Sequence, residues 1–112
     1  MNKKLKTKWL RALRGGSYRQ AQNTLVNDQG TRFCCLGVLA DIQGCEWLPD
    51  TDNGGMIPIS ANGRKSWVCE SNDFLPSTRA GGLSSEAQEE LATMNDDGKS
   101  FKDIADFIET HL

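Results

Sequence analysis

Apolar residues recur at helical spacing near the start of the chain. Lysines and arginines separate them, and the pair Gly15-Gly16 follows. Spacings of three and four residues place side chains on one face of a helix, and glycine commonly ends a helix. We therefore predict a short amphipathic helix that ends at this pair, with Trp9 as a core anchor. Its core-facing residues are predicted to be Leu5, Trp9, Leu10 and Leu13.

The segment from Phe33 to Ile42 is the most apolar part of the chain. Its length and small residues favour a helix that begins near Cys34 or Cys35 and ends at Gly44. Gly37 lies inside this helix at a propensity cost of about 1 kcal/mol, so we expect another stretch of backbone to pass close to it. The predicted buried face consists of Cys35, Leu36, Leu39 and Ile42.

Two further helices are predicted in the C-terminal third. Ser85 and Gln88 have the spacing of a capping box, and Ser100 and Asp103 repeat that pattern. The predicted apolar stripes are Ala87, Leu91 and Met94 in the first helix, and Phe101, Ile104, Ala105 and Ile108 in the second. Residues 95–98, rich in Asn, Asp and Gly, are predicted to form the turn between two antiparallel helices.

Short strands are predicted between these helices. Residues 24–26 and 31–34 flank an Asn-Asp-Gln-Gly turn, and residues 57–59 and 66–69 are the other candidates. Pro58 restricts its strand to a sheet edge. The predicted fold class is α+β, with a small antiparallel sheet formed by residues near 22–34 and 56–69. The N-terminal helix, the central helix and the C-terminal helical pair are predicted to pack on that sheet.

The size and composition indicate one globular unit over residues 1–112. The chain has 112 residues, of which 38% are hydrophobic, enough for a single core at this length. No apolar run approaches the roughly 18 residues of a membrane span, and the basic start does not lead into the apolar stretch of a signal peptide. We therefore expect a soluble protein that is not exported and makes no membrane contact.

Charge is distributed unevenly along the sequence. The net charge is −2, but residues 1–32 carry eight Lys or Arg and one acid, whereas residues 33–112 carry five bases and fourteen acids. This asymmetry is typical of nucleic-acid binding at the basic end, or of head-to-tail self-pairing in a homo-oligomer. Basic and acidic helices that face each other within one fold explain it equally well.

The four cysteines do not have the spacing of a metal site. Cys34 and Cys35 are adjacent, and Cys45 and Cys69 follow at distances that form no Cys-x-x-Cys pair. Without an export signal the compartment is expected to be reducing. We therefore predict buried, reduced thiols, no metal and no cofactor.

Four blocks of the chain together resemble a family of small proteins encoded by tailed bacteriophages and prophages. These blocks are a basic Trp-Leu-x-x-Leu start that ends in Gly, Phe-Cys-Cys-Leu-Gly-Val-Leu at 33–39, Leu-Ser-x-x-Ala-Gln at 83–88, and Met-Asn-Asp-x-Gly-x-Ser-Phe-x-x-Ile-Ala at 94–105. The resemblance covers most of the chain and carries over no catalytic residue. It implies an accessory protein of host takeover or anti-defence that acts in the host bacterial cytoplasm.

Catalysis has little support in the sequence. A Cys34 or Cys35 nucleophile at a helix N-terminus would need a base, and the one histidine, His111, lies at the far end of the chain. The carboxylates of the C-terminal helices are predicted to form a solvated face rather than a catalytic pair: Glu86, Glu89, Glu90, Asp103, Asp106 and Glu109. We therefore predict a binding protein that is not an enzyme.

Two modes of binding are predicted. The first is sequestration of a small anionic ligand of the nucleotide type in a basic pocket. Compact phage proteins that bind in this way often close the pocket at a subunit interface. Its predicted residues are Arg14, Tyr18, Arg19, Arg64, Lys65 and Trp67. The second is binding and inhibition of a host or defence protein through an acidic helical face, with Glu86, Glu89 and Glu90 as the contact residues.

Two alternatives stay open beside these modes. The first is nucleic-acid binding through the basic end of the chain, against which the isoelectric point near 5.3 argues. The residues concerned are Lys3, Lys4, Lys6, Lys8, Arg11, Arg14, Arg19 and Arg32. The second is a role as a minor structural protein of the virion.

Overall fold

Four helices and two pairs of short strands make up the part of the chain that the computed structural model describes, residues 2–49, 54–59 and 82–112. The element order is α1 (Lys3–Arg14), β1 (Arg19–Gln20), β2 (Arg32–Phe33), α2 (Cys35–Ile42), β3 (Glu46–Pro49), β4 (Met56–Ile59), α3 (Ser85–Asp96) and α4 (Phe101–His111). The predicted α+β class, with an N-terminal helix, a central helix and a C-terminal helical pair, is confirmed.

Helix α1 follows its prediction closely. The Asn2 side chain caps it by accepting a hydrogen bond from the Leu5 N–H at 3.1 Å, and the helix ends at Gly15. Trp9 and Leu13 are buried. The Trp9 Nε1–H donates to the Cys35 carbonyl oxygen at 2.9 Å, so the indole joins α1 to the start of α2 through a polar contact as well as by packing.

Helix α2 is the buried centre of the fold. Its cap is Cys34, whose sulfur accepts from the Gly37 N–H at 3.3 Å, and residues 35–40 are all buried. The close approach predicted at Gly37 is confirmed, because a Cβ there would overlap the Leu25 carbonyl oxygen. Ile42, predicted on the buried face, is half-buried.

The strands pair differently from the expected single antiparallel sheet. Strand β1 pairs with β2 in parallel, and β3 pairs with β4 antiparallel, with Glu46 opposite Ile59 and Pro49 opposite Met56. The hairpin predicted from residues 24–26 and 31–34 consists of one antiparallel bridge, between Val26 and Phe33. The strand predicted at 57–59 is confirmed within β4, and the one predicted at 66–69 lies outside the described residues.

Helices α3 and α4 form the C-terminal pair, with one correction at the start of α3. Its cap is Ser84, whose hydroxyl accepts from the Ala87 N–H at 3.1 Å, so the predicted box of Ser85 and Gln88 is wrong by one residue. The helix also extends through Asp96, into the predicted turn. Helix α4 begins as predicted, with Ser100 accepting from the Asp103 N–H.

The core lies where the helices meet. Helix α1 packs against α2 and α4, and α3 packs against α2 and α4. The fully buried large side chains of this core are Trp9, Leu25, Leu36, Leu39, Leu91, Ile104 and Ile108. Burying a large apolar side chain contributes about 1.5–3 kcal/mol, so these side chains supply most of the stabilisation of the described part.

Candidate functional site

One polar side chain, Asn95, lies fully buried within this apolar core. Its Oδ1 accepts from the Cys35 N–H at 3.2 Å and from the Gln20 amide at 3.0 Å. Its Nδ2 donates to the Ala21 carbonyl oxygen at 2.7 Å. The Cys35 N–H is in the first turn of α2 and has no acceptor within its own helix. Asn95 therefore connects α3 to the start of α2 and to the end of β1, and it fixes the position of β1.

Of the predicted anion-binding residues, the three that the structure describes, Arg14, Tyr18 and Arg19, do not line a common pocket. Arg14 forms ion pairs with Asp106 at 2.7 Å and Glu109 at 2.5 Å, and hydrogen bonds to these two carboxylates raise its pKa. The Tyr18 hydroxyl donates to Asp41 Oδ2 at 2.7 Å. Arg19 is exposed on β1. The remaining predicted residues, Arg64, Lys65 and Trp67, lie outside the described residues.

Tyr18 belongs to a small aromatic cluster around Asp41 that the sequence pattern did not indicate. Trp47 Nε1–H donates to Asp41 Oδ1 at 2.9 Å, so both carboxylate oxygens have partners. Phe33 contacts the Tyr18 and Trp47 rings edge to face, with centroids 5.0 and 6.0 Å apart. Burial, and then the hydrogen bond to Asp41, raise the pKa of Tyr18. This cluster joins the residue before β1 to β2, α2 and β3 and acts as packing.

The three predicted partner-binding glutamates do lie together. Glu86, Glu89 and Glu90 are exposed on α3 and line a groove of about 470 Å³. The half-buried Met94 contributes an apolar surface to it, and Lys99 is the one basic residue among the described lining residues. Other lining residues are Thr93 and Asp97. Helix α3 contains four carboxylates and no Lys or Arg, so the negative charge along this groove is not neutralised from within the helix.

The basic end of the chain divides between internal and exposed roles. The Lys6 ammonium donates to the Glu109 carbonyl oxygen at 3.5 Å, and Arg14 pairs with α4 as described above. Basic α1 thus faces acidic α4, as one explanation of the charge asymmetry predicts. The basic side chains that stay exposed, apart from Arg14, are Lys3, Lys4, Lys8, Arg11, Arg19 and Arg32.

The cysteines and His111 do not form a catalytic arrangement in the described part of the chain. Cys34, Cys35 and Cys45 are buried, as predicted, and Cys69 lies outside the described residues. Burial raises the pKa of Cys35 well above its usual value, which disfavours the thiolate. His111 is exposed and stacks on Phe107. The described residues contain no group of three metal-binding side chains.

A second concavity, of about 430 Å³, lies beside the β1–β2 pair. The described residues that line it are polar or small and include no carboxylate: Gln20, Ala21, Gln22, Thr24, Asn27, Arg32 and Gly98. The sequence pattern did not indicate this pocket, because its residues come from four separate segments of polar loop and strand. The one usable signal was the accumulation of amide side chains between residues 20 and 29.

These features define a small α+β protein whose described part contains an acidic groove and a second concavity lined by amides and an arginine. The chain belongs to the family described as a domain of unknown function, DUF8296, which matches it over residues 1–112. Comparison with curated proteins and with solved structures gives no match. Within the described residues, none of the helices has the length and apolar character needed to cross a membrane.

Proposed function

We propose that this protein is a non-enzymatic binding protein that captures a basic segment of a partner protein in the acidic groove of α3. The observation that carries the proposal is that Glu86, Glu89 and Glu90 line one groove together with the apolar surface of Met94. Charged side chains around an apolar contact are the arrangement that electrostatic steering and specific docking both use.

The electrostatics favour a cationic partner over an anionic one. None of the three glutamates forms an ion pair within the described residues, and four carboxylates line the groove against a single lysine, Lys99. A partner segment with Lys or Arg side chains on either side of an apolar residue would match both the charge and the apolar surface. Inhibition of a host or defence protein in the bacterial cytoplasm, the role that the phage resemblance implies, would follow from such capture.

The test is a titration of the ¹⁵N-labelled protein with the peptide Arg-Arg-Leu-Arg-Arg, followed by amide chemical shifts. We expect shifts concentrated over residues 86–97 and a dissociation constant that rises with ionic strength. The triple variant Glu86→Gln, Glu89→Gln, Glu90→Gln should weaken binding at least tenfold. Glu46→Gln, an exposed carboxylate on β3, is the matched control and should bind as the natural chain does.

Affinity capture from bacterial lysate extends the test to natural partners. The partner is a protein retained by the natural chain and by the Glu46→Gln control but lost with the triple variant. The proposal fails if the triple variant binds the peptide unchanged, or if the shifts are as large over the carboxylates of α4 as over α3.

A further inference from the structure

Two exposed arginines stand side by side on the short parallel strand pair. Arg19 of β1 and Arg32 of β2 are register partners, and partners in neighbouring strands project from the same face of a sheet. Both are exposed, and neither guanidinium forms an ion pair with any of the described residues. Like charges directly opposite each other are destabilising, so this arrangement costs stability unless an anion joins it.

The backbone on both sides of this pair is held in place by other residues. The Gln20 side chain, next to Arg19, donates to Asn95 Oδ1 and to the Lys99 carbonyl oxygen at 2.6 Å. The Arg32 N–H donates to Asn27 Oδ1 at 3.0 Å, and its carbonyl oxygen accepts from the Asn27 N–H. The backbone positions that carry the two guanidinium groups are therefore fixed before a ligand binds. This lowers the conformational entropy lost on binding.

Arg32 also lines the 430 Å³ polar pocket, and Arg19 stands beside it as the register partner of Arg32. Several lining groups are committed to the protein itself: Thr24 donates to the Val26 carbonyl oxygen, and both atoms of the Asn27 amide have partners in the 27–32 turn. Gln22 differs, because its amide makes no hydrogen bond within the described residues and lies over Gly98. The side chains free to contact a ligand are thus two guanidinium groups and one amide.

We propose that Arg19 and Arg32 bind the phosphate of a small nucleotide-class ligand, and that the polar remainder of this ligand occupies the adjacent pocket beside Gln22. Two guanidinium groups match the oxygens of a phosphate through bidentate, charge-assisted hydrogen bonds. An uncharged amide beside them can donate to and accept from the edge of a base or the hydroxyls of a sugar. No carboxylate that would repel the ligand is among the described residues that line the pocket. This site is separate from the α3 groove and does not depend on the function proposed for it.

The experiment is isothermal titration of the full chain with adenosine 5′-monophosphate and guanosine 5′-monophosphate, with adenosine, guanosine and inorganic phosphate as comparison probes. We expect at least one nucleotide to bind, and to bind at least tenfold more tightly than its nucleoside or than phosphate alone. Amide shifts on binding should fall over residues 19–24, 31–33 and 98.

Substitutions locate the interaction. Arg19→Gln and Arg32→Gln should each weaken nucleotide binding at least tenfold. Arg32→Lys should weaken it less, because lysine keeps the positive charge and lacks only the planar guanidinium that forms bidentate hydrogen bonds. Arg11→Gln removes an exposed arginine from α1 and should leave affinity unchanged. Because Arg19 and Arg32 repel each other in the free protein, the two glutamine variants should melt at the same temperature as the natural chain or higher.

Three results would overturn the inference. The first is the absence of nucleotide binding at millimolar concentration. The second is equal affinity for phosphate and for the nucleotide, which would remove the role of the pocket. The third is an equal loss of affinity in Arg11→Gln and in Arg32→Gln, which would indicate a diffuse basic surface.

Discussion

Replacing Asn95 by alanine should destabilise the protein more than any loss of surface contacts would. The change leaves the Cys35 N–H and the Ala21 carbonyl oxygen without their partner, at positions that are 0% and 6% exposed. Each buried polar group left unpaired costs about 1–3 kcal/mol, so the two together cost about 2–6 kcal/mol. A domain of this size is stable by only about 5–15 kcal/mol, and the variant is expected to lose a large share of that.

The assay is urea unfolding followed by tryptophan fluorescence, since Trp9 is fully buried. For a loss of about 3 kcal/mol and a slope of about 1.5 kcal/mol per molar urea, the midpoint falls by about 2 M. Thr93→Ala is the control, because Thr93 is exposed on the same helix, and it should change stability by less than about 0.5 kcal/mol.

The variant Asn95→Asp separates the hydrogen-bond argument from simple packing. It keeps the shape and the acceptor oxygen but places a carboxylate oxygen against the Ala21 carbonyl. Burial raises the pKa of such a carboxyl, so the folded state binds a proton that the unfolded chain lacks above about pH 4. The difference in free energy of unfolding between Asn95→Asp and the natural chain should therefore shrink as the pH falls toward 4. A loss below about 1 kcal/mol in Asn95→Ala, or a deficit in Asn95→Asp that does not change with pH, would refute this reasoning.

Three other changes test separate parts of the fold. Gly37→Ala should destabilise by at least about 3 kcal/mol in urea unfolding, since its Cβ would overlap the Leu25 carbonyl oxygen; a near-neutral result would contradict that close approach. Ser84→Ala should cost about 1 kcal/mol of helix stability and Ser85→Ala less than half of that, because Ser84 is the cap; the reverse order would restore the sequence-based assignment. Burial raises the pKa of Cys35, so above about pH 9 the unfolded chain loses a proton that the folded chain keeps, and stability falls by up to about 1.4 kcal/mol per pH unit. Cys35→Ala should lose stability less steeply than the natural chain between pH 9 and 10.5, and equal slopes would count against the shift.

The helices could be predicted because their signals are local. The spacing of Trp9 and Leu13 and the cap at Ser100 each depend on residues close in sequence, and the glycine at position 37 is itself the signal of the close approach found there. The predicted cap of α3 was wrong by one position because Ser85 has a Gln three residues later, whereas Ser84 has Ala87 at that spacing. The side chain of Ser84, and not that of Ser85, reaches the free N–H of the first turn.

The strand pairing and the polar pocket could not be predicted in this way. Strand β1 has two residues within a polar stretch, and its partner is thirteen positions away in a parallel register. Asn95 looks like a turn residue in sequence, and only the approach of residues sixty and seventy-four positions away makes it a buried connector. Arg19 and Arg32 become neighbours for the same reason. The acidic groove was easier, because its glutamates lie on one helix.

The contact between α1 and α4 has a consequence for synthesis in the cell. Lys6 and Arg14 reach carboxylate and carbonyl groups that follow them by 92 to 103 residues. Translation at roughly 5–20 residues per second therefore leaves α1 without this partner for roughly 5–20 s. During that interval the apolar face around Trp9 and Leu13 can be covered only by α2 and the segments that follow it. The nascent protein thus passes through a stage in which its first helix is complete but its core is still open to solvent.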